Sequence, residues 1–384
     1  MLQSADFDKL EDFQNSSFQD IVNLKLKLWG NNIRDQGMQV IGQSLEKCQN
    51  LQKLYLDLSS NNIGINGLQC LHSYLAKCKK LAILELYLRS NNIGDQGIAS
   101  LKNCSNFISL TLDLSCNTIC ANGTPKISQF ISECVNLNTL ALYLSTNDIG
   151  DQGLSNLVSS FRECKSLQTL SMNISYNCVG DEGISALGQS LSNCLNLQKL
   201  ELNLQSNNIT TQGFTNLCKG LQKNSTLQII TFFLRTSNIN SECISSLGFG
   251  LKNCKNLQYI ALYMRGNDIG DQGLSTFAES LASYENLQNL QLYLRENNIR
   301  SEGAIALVTN LEQCIHLKSL NIDFWYNKIC NDGFTGLIIS LKKYQNLQVL
   351  SLFLQRNQIN IQIENILNKV LKKLRKLVKY KLSY

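Results

Sequence analysis

Residues 51–80 read LQKLYLDLSSNNIGINGLQCLHSYLAKCKK, and the way their apolar positions are spaced decides the fold. Leu51, Leu54, Leu56 and Leu58 stand at offsets 0, 3, 5 and 7 of the stretch. The last three alternate with other residues, the period of a strand that buries one side. Asn61 and Ile63 follow at offsets 10 and 12, and then Leu68, Leu71, Leu75 and Cys78 recur at helical spacing. One strand, one turn and one helix are written in this stretch, and none of them can bury its apolar side alone.

Working outward, the same unit recurs with its first anchor at Ile21, Leu51, Leu81, Phe107, Leu137, Leu167, Leu197, Leu227, Leu257, Leu287, Leu317 and Leu347. Each step is thirty residues except Leu81 to Phe107, which is twenty-six. The four missing residues are about one helical turn, so the shortened helix keeps its facing. Asn occupies offset 10 in every unit from Asn31 to Asn357 except one, where Ser237 stands. Such a column suits a side chain that hydrogen-bonds turn backbone buried between coils. Offset 14 holds Asp, Asn, Ser or Thr in nine units, as Asp35, Asp151 and Asp271, and predicts a helix start capped by that side chain. Gly stands two residues later in ten units, where a Cβ would obstruct the approach of helix and turn.

Strand, turn, helix and return, repeated in parallel, predict an α/β fold: a right-handed solenoid, or horseshoe, with a parallel sheet on its concave face and helices on its convex face. The expected division is a helical cap over residues 1–20 carrying Phe7, Leu10, Phe13 and Phe18, twelve repeats over 21–376, and a closing strand over 377–384. In that last segment Leu377, Tyr380, Leu382 and Tyr384 reproduce offsets 0, 3, 5 and 7, and Lys379 and Lys381 between them discourage addition of a further strand.

Forty-three per cent hydrophobic residues supply a core, and no apolar run is long enough to cross a bilayer. The start, MLQSADFDKL, lacks the basic and apolar blocks of a secretory signal. The expected location is the cytoplasm, where the fifteen cysteines stay reduced and acceptor sequences such as Asn173-Ile174-Ser175 are idle. The formal charge is +6, but the seven basic residues from Lys369 to Lys381 leave the rest of the chain at −1. A balanced body counts against a broad nucleic-acid surface.

The pattern LxxLxL followed by Asn and an aliphatic residue resembles the leucine-rich repeat, and the long helical half with its recurring Cys is similar to the ribonuclease-inhibitor subclass. The likeness covers residues 21–384 and departs from the usual pattern by two extra residues before the Asn, LxxLxLxLxxN. An insertion of two preserves strand alternation. In this extended form, with turns such as NNIGDQG, the chain looks like the large leucine-rich-repeat families of ciliate protozoa, sometimes fused to kinase domains; no kinase motif stands in this sequence. The resemblance implies a protein-interaction scaffold and does not name the partner; a monomer without enzymatic activity or cofactor is expected.

If offsets 3, 5 and 7 face the core, then offsets 2, 4, 6 and 8 face out of the concave sheet, free of the folding constraint, and are expected to carry specificity. Offset 6 includes Tyr87, Tyr143, Phe233, Tyr263, Tyr293 and Phe353; offset 8 includes Trp29, Arg89, Arg235, Arg265, Arg295 and Trp325. The columns coincide in the C-terminal half, where three rungs pair Phe233 with Arg235, Tyr263 with Arg265 and Tyr293 with Arg295, flanked by Trp325 and Phe353. Aromatic and Arg side chains dominate binding hot spots, so this patch is the candidate contact surface. The alternative is a structural ladder of rings with Arg resting on them.

Other signals read as structure. Cys48, Cys78, Cys104, Cys134, Cys164, Cys194, Cys254 and Cys314 share the last buried helical position, where free Cys serves as a small hydrophobe. Cys116 and Cys120 form a CxxxC pair, but with only His72 and His316 in the chain a zinc site lacks its usual ligands. Neither His has a nucleophile to activate, and no Gly-rich phosphate loop is present. The segment from Ile363 to Leu382 alternates aliphatic and basic residues; it reads as the final repeat's helix with a solvated basic face, in preference to a membrane-surface or calmodulin-binding helix.

Binding of a protein or peptide on the concave sheet is therefore the leading expectation. A GTPase-activating protein of the ribonuclease-inhibitor-like type would need a fixed charged rim residue, and none is assignable. Single-stranded RNA could stack on the Tyr and Arg rungs, but Asp57, Glu85, Asp113, Glu201 and Asp323 stand on the same face. No membrane partner is expected.

Overall fold

The computed structural model describes residues 3–16, 18, 20–98, 106–360 and 376–383, the side chains of Gln3 and Leu382 excepted. The chain divides into two units, residues 1–197 and 198–384. In the first, strands β1 (Gln3–Phe7), β2 (Ile21–Lys27), β3 (Lys53–Asp57), β4 (Ile83–Tyr87), β5 (Ser109–Asp113), β6 (Thr139–Tyr143) and β7 (Thr169–Asn173) alternate with helices α1 (Leu10–Gln14), α2 (Arg34–Glu46), α3 (Ile65–Leu75), α4 (Gly94–Ile98), α5 (Thr124–Glu133), α6 (Gly150–Val158) and α7 (Asp181–Leu191). In the second, strands β8 (Lys199–Asn203), β9 (Ile229–Phe233), β10 (Tyr259–Tyr263), β11 (Asn289–Tyr293), β12 (Ser319–Asp323), β13 (Val349–Phe353) and β14 (Lys379–Ser383) alternate with α8 (Thr211–Leu221), α9 (Ser241–Gly250), α10 (Gly270–Leu281), α11 (Ser301–Asn310) and α12 (Asn331–Leu341).

Within each unit every strand pairs in parallel with the next, in chain order and without slippage between repeats, as in Leu200↔Ile230, Ile230↔Ile260 and Ile260↔Leu290. The twenty-six-residue step does not disturb this register, since Leu84 faces Leu110 and Leu86 faces Leu112. The strand phase is the one expected. Leu200, Leu202 and Leu204 at offsets 3, 5 and 7 are fully buried, and on the helix side Leu154, Leu157, Phe161 and Cys164 are 0–1% exposed. Burying one such Leu is worth about 1.5–3 kcal/mol, so each repeat is held mainly by its seam with its neighbours.

The N-terminal segment departs from the expected helical cap. Residues 3–7 form strand β1 on the edge of β2, with Ala5 opposite Leu24 and Phe7 opposite Leu26, and only Leu10–Gln14 is helical. Phe13 is fully buried and meets Phe7 and Phe18 at 5.5 and 5.4 Å, so the aromatic residues do cover the first coil, with strand and helix sharing the task. At the other end Lys379–Ser383 pairs with β13. Cys104, the part of the basic segment within residues 361–375, and Tyr384 lie outside the described residues.

The Asn column does what its chemistry suggests, and does it between repeats. Asn117 is fully buried. Its Nδ2 donates to Leu88 O in the preceding repeat at 2.9 Å and to Ser115 O at 3.1 Å. Asn147 Oδ1 in turn accepts the N–H groups of Asn117 and Ile119 at 3.0 Å each. Each amide thereby satisfies turn backbone that stacking has removed from water. Ser237, the one departure, donates instead to Arg235 O within its own turn at 3.1 Å.

The offset-14 residues cap a different helix from the one expected. Asp35, Asp151 and Asp271 lie inside the first turn of their own helices, too far along to be N-caps. Their carboxylates reach the next repeat. Asp151 Oδ1 accepts from Gly180 N at 2.7 Å and Gly183 N at 2.8 Å, and Asp271 Oδ1 from Arg300 N at 2.7 Å and Gly303 N at 3.0 Å. A carboxylate at a helix start satisfies orphan N–H groups and favours the dipole. This also accounts for Gly where the preceding repeat carries Asp: a Cβ on Gly183 would come within 2.8 Å of Asp151 Oδ1, and one on Gly303 within 2.6 Å of Asp271 Oδ1, whereas Gly153 and Gly273 lie against the Ala121 and Ser241 backbone.

Candidate functional site

Each unit presents the helix-free face of its strands, where offsets 2, 4 and 6 are half-exposed. Offset 6 is not uniformly free of the folding constraint. Asp57, Asp113, Asn173, Asn203 and Asp323 all use the side-chain oxygen to accept the N–H two residues on, at 2.8–3.2 Å. These residues shape the turn that leaves the strand. Burial raises the Asp323 carboxyl above the usual range, against the opposing effect of its Trp325 N–H bond and the nearby Arg295 and Arg265. Lys27 pairs with Asp6 at 2.7 Å, and the aromatic members of the column remain available as contact groups.

In the first unit those members are separate. Tyr87 meets Tyr55, at offset 4 of the preceding repeat, with ring centroids 5.2 Å apart and planes at 44°. Burial pushes the Tyr87 hydroxyl up to about 12. Arg89 is exposed beyond the end of β4, and Tyr143 sits in register between Asp113 and Asn173. A cavity of about 380 Å³ opens beside β1 to β4, with Asn23, Lys25, Lys53, Tyr55 and Glu85 on its walls. Its charges already have partners: Lys53 meets Glu85 at 2.8 Å and Lys25 Nζ lies 4.6 Å from the centre of the Tyr55 ring.

In the second unit the rungs come together. Strand register aligns Phe233, Tyr263 and Tyr293, and their rings stack nearly parallel, 4.6 Å apart at 11° and 4.5 Å apart at 8°. Asn203 and Asp323 bound the row. Because the rings cover one another's faces, their edges and hydroxyls are what the surface offers. Tyr293 Oη accepts from Asn321 Nδ2 at 3.1 Å. Burial raises the hydroxyls of Tyr259 and Tyr263 above their ordinary value, so both remain protonated donors across the neutral range.

The arginines do not rest on those rings. Arg295 Nε and Arg265 Nη2 both approach Glu296 Oε1, at 3.0 and 3.4 Å, while the Arg295 guanidinium lies 4.1 Å from the centre of the Trp325 ring. Arg235 is exposed at the other end of the row. Phe353 is separated from the stack by Asp323 and has Lys381 Nζ 5.3 Å from its ring centre. Glu296 is the member of this site that the offset-6 and offset-8 columns miss. It stands at offset 9, where every repeat turns through a left-handed residue, and it is the one acidic residue in its column. That oddity next to Arg295 was a readable signal.

The two histidines remain apart from any such cluster, His72 half-buried on α3 and His316 exposed ahead of β12. Cys120 Sγ donates to Asp95 Oδ2 at 2.6 Å, where the same carboxylate also accepts the Cys120 N–H. Among the described column thiols Cys48, Cys134, Cys164, Cys194, Cys254 and Cys314 are buried and Cys78 is half-buried, and burial pushes Cys48, Cys194, Cys254 and Cys314 up to about 12. Among the described residues no helix is long and apolar enough to cross a membrane.

A model of the leucine-rich repeat matches the chain over residues 47–71, 83–102, 136–158, 163–188, 196–218, 260–278 and 286–308. No curated protein matches it. Among solved structures the chain is similar to an internalin from Listeria monocytogenes, at 18% identity and a TM-score of 0.52, over 91% of this chain and 94% of that one. It is likewise similar to a leucine-rich-repeat protein of Leptospira interrogans, at 17% identity and a TM-score of 0.53, over 95% of this chain and 84% of that one. These structures share the fold. With its in-phase strands, its Asn column and its matched repeats, the chain belongs to the leucine-rich-repeat family.

Proposed function

We propose that the chain is a non-enzymatic binding module of the cytoplasm that holds a protein or peptide on the open sheet face of its second unit. The observation that carries this reading is the stacked row Phe233, Tyr263 and Tyr293 with Arg265 and Arg295 fixed beside it by Glu296. Rings held by their neighbours and guanidiniums held by a carboxylate have already lost the rotamer freedom that association would otherwise cost. Tyr and Arg in such settings lose about 2 kcal/mol or more of binding when truncated. Free thiols at all the described cysteines suit a reducing compartment.

Affinity capture from the native cells, with wild type beside Tyr263→Ala and Arg265→Ala, tests the reading. Loss of the same retained protein from both variants, at unchanged circular dichroism and melting temperature, is the expected result. Folded variants that keep every partner contradict it, and would leave the ring row as a purely structural ladder.

A further inference from the structure

Resting on that reading, we infer that the partner of the second unit is an acidic extended segment, and that Glu296 stands in for its carboxylates until it arrives. On the open face of this unit, at strand offsets 2 to 8 and the turn residue at offset 9, the cations are Arg235, Arg265, Arg295, Arg356, Lys379 and Lys381, together with Lys199. The carboxylates there are Glu201, Glu296 and Asp323. Lys199 and Glu201 approach each other at 3.9 Å, and Asp323 is turned to the Trp325 N–H. The corresponding positions of the first unit balance, with Lys25, Lys27, Lys53 and Arg89 against Asp6, Asp57, Glu85 and Asp113. The cationic excess therefore belongs to the second unit, with Arg235, Arg265 and Arg295 beside the ring row and Arg356, Lys379 and Lys381 at the strands beyond Asp323.

What the row exposes has the same preference. Ring edges carry the positive side of the aromatic quadrupole, and the Tyr hydroxyls and guanidinium N–H groups are donors, so the surface as a whole asks for acceptors with negative charge. Glu296 already supplies one. A single oxygen, Oε1, holds two guanidiniums. That carboxylate keeps both guanidiniums oriented while the site is empty. It is half-exposed and flanked by cations, so an incoming carboxylate replaces it without burying an unpaired charge. An RNA ligand fits less well, since stacking needs ring faces and these are covered.

The test is fluorescence anisotropy on the full chain with three labelled probes of equal length, alternating Glu-Phe, Gln-Phe and Lys-Phe peptides, and a labelled oligouridine. The Glu-Phe peptide is expected to bind best and to weaken when salt is raised from about 50 to about 200 mM. Arg265→Gln with Arg295→Gln should cost it about tenfold, while Glu296→Gln should strengthen it about threefold by releasing both guanidiniums. Equal or weaker binding to Glu296→Gln at an unchanged melting temperature overturns the stand-in role. If the Gln-Phe peptide binds as tightly as Glu-Phe and still depends on Tyr263, the acidic preference is overturned and the binding face survives. Preference for oligouridine or Lys-Phe, or no saturation by Glu-Phe up to about 1 mM, overturns the inference altogether.

Discussion

Asp151 Oδ1 accepts the backbone N–H of Gly183 at 2.8 Å, so a carboxylate on one repeat caps the helix of the next. The same relationship joins Asp271 to Gly303 at 3.0 Å. In these repeats it ties two positions to a single cause, the Asp as acceptor and the Gly as the residue that leaves it room.

Gly183→Ala should therefore destabilise the chain by about 1–3 kcal/mol, although Ala is the better helix former by about 1 kcal/mol. Asp151→Ala should cost about 1 kcal/mol as a lost cap. The double variant should fall short of the sum, because removing the carboxylate clears the space nearest the new methyl group. Urea unfolding of the four proteins checks this; full additivity would separate the two columns.

Ser237 interrupts the Asn column, and Ser237→Asn should repair it. An amide at this position reaches the preceding turn as Asn267 Nδ2 does to Leu234 O at 2.8 Å, and the expected gain is about 1 kcal/mol. Asn117→Ala, at a fully buried position, should instead cost about 2–3 kcal/mol by leaving the buried Ile93 N–H without its acceptor and taking one of two donors from Leu88 O. The pair of denaturation midpoints moving in opposite directions is the readout.

Glu296 carries a pH signature. Burial alone raises its carboxyl, and the hydrogen bonds from Arg295 and Arg265 outweigh this and hold it below the usual carboxylate range. A folded-state value lowered in this way gives stability that is present above the unfolded pKa and is lost as pH falls through the folded one. Carbon-detected NMR titration should find Glu296 below an ordinary Glu, and Arg295→Gln should raise it. An unshifted Glu296 would remove the ion pairs from the site.

Thiol labelling should follow position in the repeat. Cys178 is exposed, and the Cys330 thiol is lowered by its contact with Ser301 Oγ and by the Gly333 and Asp332 N–H groups at the start of α12. Both should alkylate in the folded chain, Cys330 at lower pH than an ordinary thiol. Cys134, Cys194 and Cys254 should react only after unfolding, as peptide mapping by mass spectrometry can show.

How far the sequence was legible depends on where a residue's partner lies. Leu200, Leu202 and Leu204 follow from alternation alone, because any strand with one buried side must place them inward. The destination of Asp151 does not, since offset 14 is equally compatible with capping its own helix or the next one. Nor does β1: QSADF lacks the aliphatic alternation of its neighbours, and it joins the sheet through backbone pairing with β2. In the site, the ring row was readable from its column. Asp323 and Asn203 were not readable as turn acceptors, and Glu296 was missed because attention to even offsets passes over offset 9. Sequence spacing gave the phase of the repeat, and the contacts between repeats gave the rest.

The central claim, that partners engage the sheet side of the second unit, is tested most directly by hydroxyl-radical footprinting of the full chain with and without a captured partner. Protection of Tyr263, Tyr293 and Trp325, with unchanged oxidation of Phe249 on the outer face of α9, is the predicted result. Protection of Phe249 with the three sheet residues left as reactive as in the free chain would contradict it.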